Sequence, residues 1–336
     1  MADGMAAFVW RGDDVAVEEL PRPQPQPGWT VVDVAFAGIC GTDLHICAGE
    51  HPRAQAPLTL GHEFVGTLTA AAGGLDAGQP VAVEPLLSCG TCTPCRTGRA
   101  HVCERLRLIG IDVPGGVAEQ VAVPVERLIP LPSGLSLRRA ALVEPLAVAV
   151  HAVRRSGVRL GDSIMVAGAG PIGLVVAACA RLAGGGPVYV SEPVAARRRV
   201  AEELGYTVLD AADPGADLRE RTGGEGADVV FDGAGHPAVA ADVASWTATS
   251  GRIVFVGIYG RPATLDLQDV AFRELSTVGC RVYTRADMEA AVALIADGRF
   301  DPEPLYTSTV PLGEAPAALE QLRSGDELKV LLEVQR

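Results

Sequence analysis

The stretch Ile164-Met165-Val166-Ala167-Gly168-Ala169-Gly170-Pro171-Ile172-Gly173 decides the fold. Asp162 to Ala167 is a short, mostly apolar run of the kind a sheet buries on both faces, and Leu174 to Leu182 continues as an apolar helix. Between them, glycines hold the first, third and sixth places of a six-residue turn. That spacing permits a tight strand-to-helix turn, lets a pyrophosphate approach the backbone, and aims free helix-terminal amides at its charge. Gly168, Gly170, Pro171, Ile172 and Gly173 are therefore candidate dinucleotide contacts. The next run, Pro187 to Val190, ends in Ser191-Glu192, nineteen residues beyond Gly173, where an acid accepts hydrogen bonds from an adenosine ribose. Strand-like runs follow at Tyr206–Leu209, Ala227–Asp232, Gly251–Val256 and Leu275–Gly279, with helical stretches between most of them. This part reads as α/β, a doubly wound sheet.

The residues ahead of it have a different texture. Ala7–Trp10, Thr30–Val34, Glu63–Thr69 and Gln79–Val83 are short strand-like runs separated by Pro- and Gly-rich turns, the pattern of a β-rich domain. Met5 opens the first of these runs, so residues 1–4 are expected to have no structural task. From about Tyr283 the chain carries helical segments at Asp287–Ala296 and Leu312–Ser324 and a strand at Lys329–Val334, expected to return to the first domain.

Two stretches of the β-rich part carry metal chemistry. Gly38-Ile39-Cys40-Gly41-Thr42-Asp43-Leu44-His45 and Gly61-His62-Glu63 together supply a thiolate, an imidazole and a carboxylate, donors that tetrahedral zinc accepts while keeping one position open. Taken singly, Cys40 reads as a small buried hydrophobe and His62 as a core histidine; the rest of the chain favours ligands. In a regular strand His62 and Glu63 face opposite ways, so joint ligation requires a bend, which Gly61 permits. Farther on, Cys89, Cys92, Cys95 and Cys103 lie within fifteen residues. Four thiolates close a tetrahedral shell, so this reads as a structural zinc site, an iron–sulfur cluster being the other group such a set accepts. Of the remaining histidines, His51, His101, His151 and His236 have no partner visible in the sequence and read as structural or solvent-facing.

The 336 residues, 48% hydrophobic, suffice for about two domains. A formal charge of −13 repels phosphate backbones and anionic lipid, so no nucleic acid or membrane partner is expected. No signal-peptide pattern opens the chain, which makes the cytoplasm the expected compartment and thiols or thiolates the expected state of its eight cysteines.

These motifs, with Gly115-Gly116-Val117-Ala118-Glu119 and Val143-Glu144-Pro145-Leu146-Ala147, resemble end to end the zinc-dependent medium-chain dehydrogenase/reductase (alcohol dehydrogenase) family, in its polyol, 2,3-butanediol and L-threonine dehydrogenase branch. The resemblance implies a GroES-like catalytic domain over 1–145 and 284–336, with a structural zinc lobe at 89–103, and a Rossmann domain over 146–283. It implies two zinc ions per chain and NAD. Cys40, His62 and Glu63 would bind the catalytic zinc, with Glu144 reaching the same ion directly or through water, so that either glutamate can be the inner ligand. Asp43 would support His62, Thr42 and His45 would form a proton relay, and Arg197 would flank the ribose beside Glu192. Cys47 and Val117 stand where relatives often carry aromatic residues, which implies a wider substrate pocket. The implied reaction is hydride transfer from a secondary alcohol carbon of a polyol, vicinal diol or cyclitol to NAD, in a homodimer or homotetramer whose edge strand near Leu275–Gly279 pairs with a second copy. L-Threonine 3-dehydrogenase is the alternative within the class, which an unpaired charge in the pocket would favour. A non-catalytic dinucleotide-binding module is the alternative outside it, which a single zinc per chain would favour.

Overall fold

The computed structural model describes residues 4–325 and 327–335. The chain divides into two compact units, 1–144 with 284–336, and 145–283.

The first unit is built around the ten-residue strand Trp29–Gly38, whose valines, Phe36 and Ala37 give it two apolar sides. Glu63–Leu68 and Val330–Glu333 pair with it antiparallel, and Gln120–Pro124 pairs with its first half. Pro80–Val83 and Leu128–Pro130 extend the sheet on one side and Ser308–Pro311 on the other, so the tail supplies two of its strands. A small second sheet joins Val15–Pro21, Gly4–Trp10 and Leu58–Thr59. Gly4 pairs with Pro21, so residue 4 is part of the fold, contrary to expectation, while residues 1–3 lie outside the described residues. Val15–Pro21 escapes a sequence reading because it is half-exposed and ends in Glu-Glu-Leu-Pro, which breaks the apolar alternation.

The second unit is the doubly wound sheet. Its six parallel strands run Thr207–Val208, Val188–Ser191, Ile164–Ala167, Ala227–Asp232, Thr247–Phe255 and Ser276–Gly279. The order reverses beside Ile164–Ala167, the place where such sheets receive ligands at their carboxyl ends. All four residues of Ile164–Ala167 are buried, and Met165, Val230, Ile253 and Trp246 are among the apolar side chains of the unit's core. Ser276–Gly279 is a mostly exposed edge. Among the described residues, no helix is long and apolar enough to cross a membrane.

Candidate active site and metal centres

Strand register brings the first site together. Gly38 lies opposite Glu63 on one side and Leu331 on the other. A Cβ on Gly38 would stand 2.5 Å from Glu63 Oε2 and 3.0 Å from Lys329 Nζ, so only glycine leaves room for the pair above it. Lys329 donates to Glu63 Oε2 and, at 3.0 Å, to the carbonyl of Ile39. Both side chains are sealed, Lys329 3% and Glu63 2% exposed. Burial pulls the Lys329 ammonium down, but the charges of Glu63 and Cys40 more than offset this and hold it above its ordinary value.

Cys40 precedes the helix Gly41–Cys47, and its amide donates to Asp43 Oδ2 at 2.8 Å, which ties the turn to the helix. Gly61 has φ +96°, and a Cβ there would strike Val117 at 2.4 Å. This supplies the bend: His62 stands ahead of the regular strand that begins at Glu63. The donor atoms of Cys40, His62 and Glu63 then lie within 4.8 Å of one another. Glu144, in the first turn of the helix Val143–Ser156, is buried but not part of this trio, and its charge is felt by His62.

Electrostatically the site is rich in buried acid. Burial lowers the His62 pKa, yet Cys40, Asp43 and Glu144 carry it well above its ordinary value. Asp43 is pushed up, chiefly by burial and in part offset by His62. Asp43 Oδ1 and His62 Nδ1 are both buried without a hydrogen-bond partner. A thiol, an imidazole and a carboxylate within ligating distance, with surplus buried acid and orphaned polar atoms, fit a zinc ion. Thr42 Oγ1 lies 3.9 Å from Cys40 Sγ, and His45, three residues along the same helix, is exposed with Nδ1 2.9 Å from Glu50 Oε2. Val117 is buried against Gly61. Cys47 is half-buried, and burial pushes its thiol up to about 12, so it stays neutral.

The four-cysteine lobe is local. Cys92 Sγ lies 3.4 Å from Cys95 Sγ and 3.7 Å from Cys103 Sγ, too far for disulfides and near the roughly 3.8 Å expected across a tetrahedral zinc with bonds of about 2.3 Å. Amides of Cys89 and Arg105 each donate to Cys103 Sγ at 3.3 Å, and Arg105 Nη2 donates to Cys89 Sγ at 3.4 Å. The Thr91 and Cys92 amides hold the Cys89 thiol down to about 5. Burial and the neighbouring sulfurs push Cys95 the other way.

In the second unit, Gly168 has φ +98°, and a Cβ on Gly173 would sit 1.9 Å from the Gly168 carbonyl oxygen. A Cβ on Gly170 would meet nothing within 4 Å, and the helix Pro171–Leu182 has no side chain capping its N-terminus. Open space beside uncapped amides fits a pyrophosphate. Glu192, 4% exposed, accepts from the Ala169 amide at 2.8 Å and the Val194 amide at 2.9 Å, which fastens the strand end to the glycine turn. Arg198 donates to the Glu192 and Pro193 carbonyls at 3.0 and 2.6 Å, whereas Arg197 Nε is buried without a partner.

Comparison with known proteins decides the family. Residues 26–133 match the description "Alcohol dehydrogenase GroES-like domain" and residues 171–297 "Zinc-binding dehydrogenase". The chain belongs to the zinc-binding alcohol dehydrogenase family. Within that family it is 39% identical over 316 residues to the 2-dehydro-3-deoxy-L-galactonate 5-dehydrogenase of Pseudoalteromonas atlantica, covering 92% of each chain. It is 34% identical over 311 residues to the L-galactonate-5-dehydrogenase of Escherichia coli K12, covering 90% of this chain and 88% of that one. A zinc-binding dehydrogenase from Sinorhizobium meliloti 1021, solved with NADP, superposes with a TM-score of 0.92 at 32% identity, covering 99% of this chain and 100% of that one. As a member of the family the protein is a zinc-dependent, NAD(P)-linked oxidoreductase of secondary alcohols.

The functional residue missing from the sequence reading is Lys329. One signal for it was present: it is the only lysine in a sequence whose other basic residues, apart from histidine, are all arginine.

Proposed function

We propose that this enzyme oxidises a secondary hydroxyl of a polyhydroxylated substrate, a polyol or a sugar acid, with NAD as hydride acceptor. The observation that carries the reading is the Cys40–His62–Glu63 donor trio, and the galactonate-oxidising relatives support the substrate class. Zinc held by these residues supplies Lewis acidity toward the alcohol oxygen. Glu63 is the carboxylate donor, its charge partly balanced by Lys329, and Glu144 stands in reserve beside His62. Thr42 accepts the alcohol proton at Oγ1 as its own hydroxyl proton is released toward His45, which lies one turn along the helix, is exposed, and passes a proton on to water. Asp43 holds the Cys40 turn, and the charge of its carboxylate acts on His62.

The backbone amides of Gly168–Gly173 bind the cofactor's pyrophosphate, and Glu192, held in place by the Ala169 and Val194 amides, offers its remaining lone pairs to the ribose hydroxyls, where a 2′-phosphate would meet like charge. Arg197, with its unpartnered Nε, flanks that ribose. The enzyme works in the cytoplasm as a homo-oligomer whose exposed edge Ser276–Gly279 pairs with a second copy, which sedimentation tests directly. The functional reading is tested by metal analysis and an NAD-reduction screen over sugar alcohols, vicinal diols, cyclitols, aldonates and L-threonine. Two zinc ions per chain and turnover of a polyol or aldonate, with NAD favoured over NADP in kcat/KM, are expected. One zinc, or turnover of L-threonine alone, overturns it.

A further inference from the structure

The loop that follows the helix Gly41–Cys47 holds a histidine, His51, in a defined tautomer, and the charge of His62 reaches it. His51 Nδ1 accepts from the amides of Arg53 at 3.4 Å and Ala54 at 3.2 Å, so in the neutral ring the proton sits on Nε2. Burial and the nearby Arg53 charge hold the ring below its ordinary pKa, which keeps it neutral near pH 7. Among the described residues Nε2 has no hydrogen-bond partner.

The loop is also anchored. Arg53 Nη1 donates to the Leu106 carbonyl at 2.5 Å and lies 3.2 Å from Asp112 Oδ2, which itself accepts from the Leu108 amide at 2.8 Å. The segment it grips packs on the metal site's own backbone: a Cβ on Gly110 would stand 2.3 Å from the Gly61 carbonyl oxygen and 2.9 Å from the His62 amide nitrogen. An unbroken set of contacts thus runs from His62 through Gly110, Asp112 and Arg53 to His51. The charged neighbours that act on the ring are Arg53, Asp112, His45 and His62. Arg53 is balanced by Asp112 and His45 by Glu50, so the surroundings offer no spare cation. Because Nδ1 is spent on its own loop, the ring turns Nε2–H away from that loop.

We propose that His51 is a substrate-binding residue: its Nε2–H donates to a hydroxyl oxygen of the substrate other than the one being oxidised. The inference rests on the proposed polyhydroxylated substrate and adds the residue that recognises it. A single neutral donor suits a hydroxyl, whereas a carboxylate calls for a guanidinium or ammonium left unpaired.

Two conservative variants separate this role from a purely structural one. In His51→Asn the side-chain oxygen can still accept the two loop amides, but the Nε2–H is gone; in His51→Gln the amide NH2 reaches the Nε2 position and the loop bonds are lost. His51→Asn is expected to keep the wild-type melting temperature and zinc content. It should lose about tenfold or more in kcat/KM on the best sugar alcohol or aldonate, mainly through KM, and change less than twofold on 2-butanol. His51→Gln should recover part of the loss. In the 15N-histidine-labelled holoenzyme without NAD, adding that same substrate should shift the His51 Nε2 resonance and leave its Nδ1 unprotonated. The proposal fails if His51→Asn matches wild type on polyhydroxylated substrates, if both substrate classes fall equally, or if the Nε2 resonance does not move. A wild-type enzyme inactive on every polyhydroxylated compound overturns the functional reading first, and this inference with it.

Discussion

In the four-cysteine lobe every donor comes from residues 89–103, whereas the other centre draws Cys40 from one segment and His62 and Glu63 from another and takes its counter-charge, Lys329, from 266 positions beyond Glu63. The lobe's sulfurs are matched by N–H donors close in sequence, the amides of Cys89 and Arg105 and the Arg105 guanidinium. The other centre mixes hard and soft donors and leaves Asp43 Oδ1 and His62 Nδ1 unsatisfied. Four like donors close a shell around a metal and hold the chain in place; three unlike donors at the convergence of three strands leave a face open for reaction. One centre is stabilised by its own loop and the other by the whole first unit.

Substitutions should separate the two. Cys40→Ser or His62→Ala should reduce turnover by at least a thousandfold while leaving NAD affinity and the melting temperature near wild type, because a lost donor disturbs the metal and not the glycine turn. Retention of more than roughly a tenth of the rate would remove these residues from the ligand set. Next in size, Lys329→Met strands a buried carboxylate and should cost about 3–5 kcal/mol in denaturant unfolding, with the double variant Lys329→Met/Glu63→Gln recovering much of it. Equal stability of the single and double variants would show that Lys329 does not serve Glu63. Cys92→Ser or Cys103→Ser should lose one zinc per chain and lower the melting temperature by several degrees, since metal binding and folding of the lobe are coupled. An unchanged melting temperature with one zinc gone would deny the lobe its structural role. The smallest effect belongs to Arg105→Leu, which removes one N–H···S contact and a hydrogen bond to Thr91 Oγ1 from an exposed rim; a melting temperature close to wild type with both zinc ions kept is expected, and a lost zinc ion would mean that Arg105 is essential to the lobe.

The same contrast explains what could be read from the sequence. Cys89 to Cys103 and Gly168 to Gly173 are legible because each set of contacts closes within a few residues, so spacing stands for geometry. The Gly61 bend was legible as a requirement, since adjacent residues of a strand cannot face the same way. The partnership of Glu63 with Lys329 was not, because strand pairing across most of the chain creates it. Nor was the hold of Arg198 on the Glu192 and Pro193 carbonyls, which depends on how the helix Ala195–Glu203 is rotated about its axis. His51 gave no signal either, for its meaning lies in the tautomer that its own loop imposes.

Lys329 has a consequence beyond electrostatics. It carries the chain's single ε-amine, and the fold seals it beneath the reactive centre. Acylating reagents, sugars that glycate proteins and enzymes that tag lysines therefore meet no reactive side-chain amine on the intact molecule. A modified Lys329 is instead a permanent record that its strand once left the sheet.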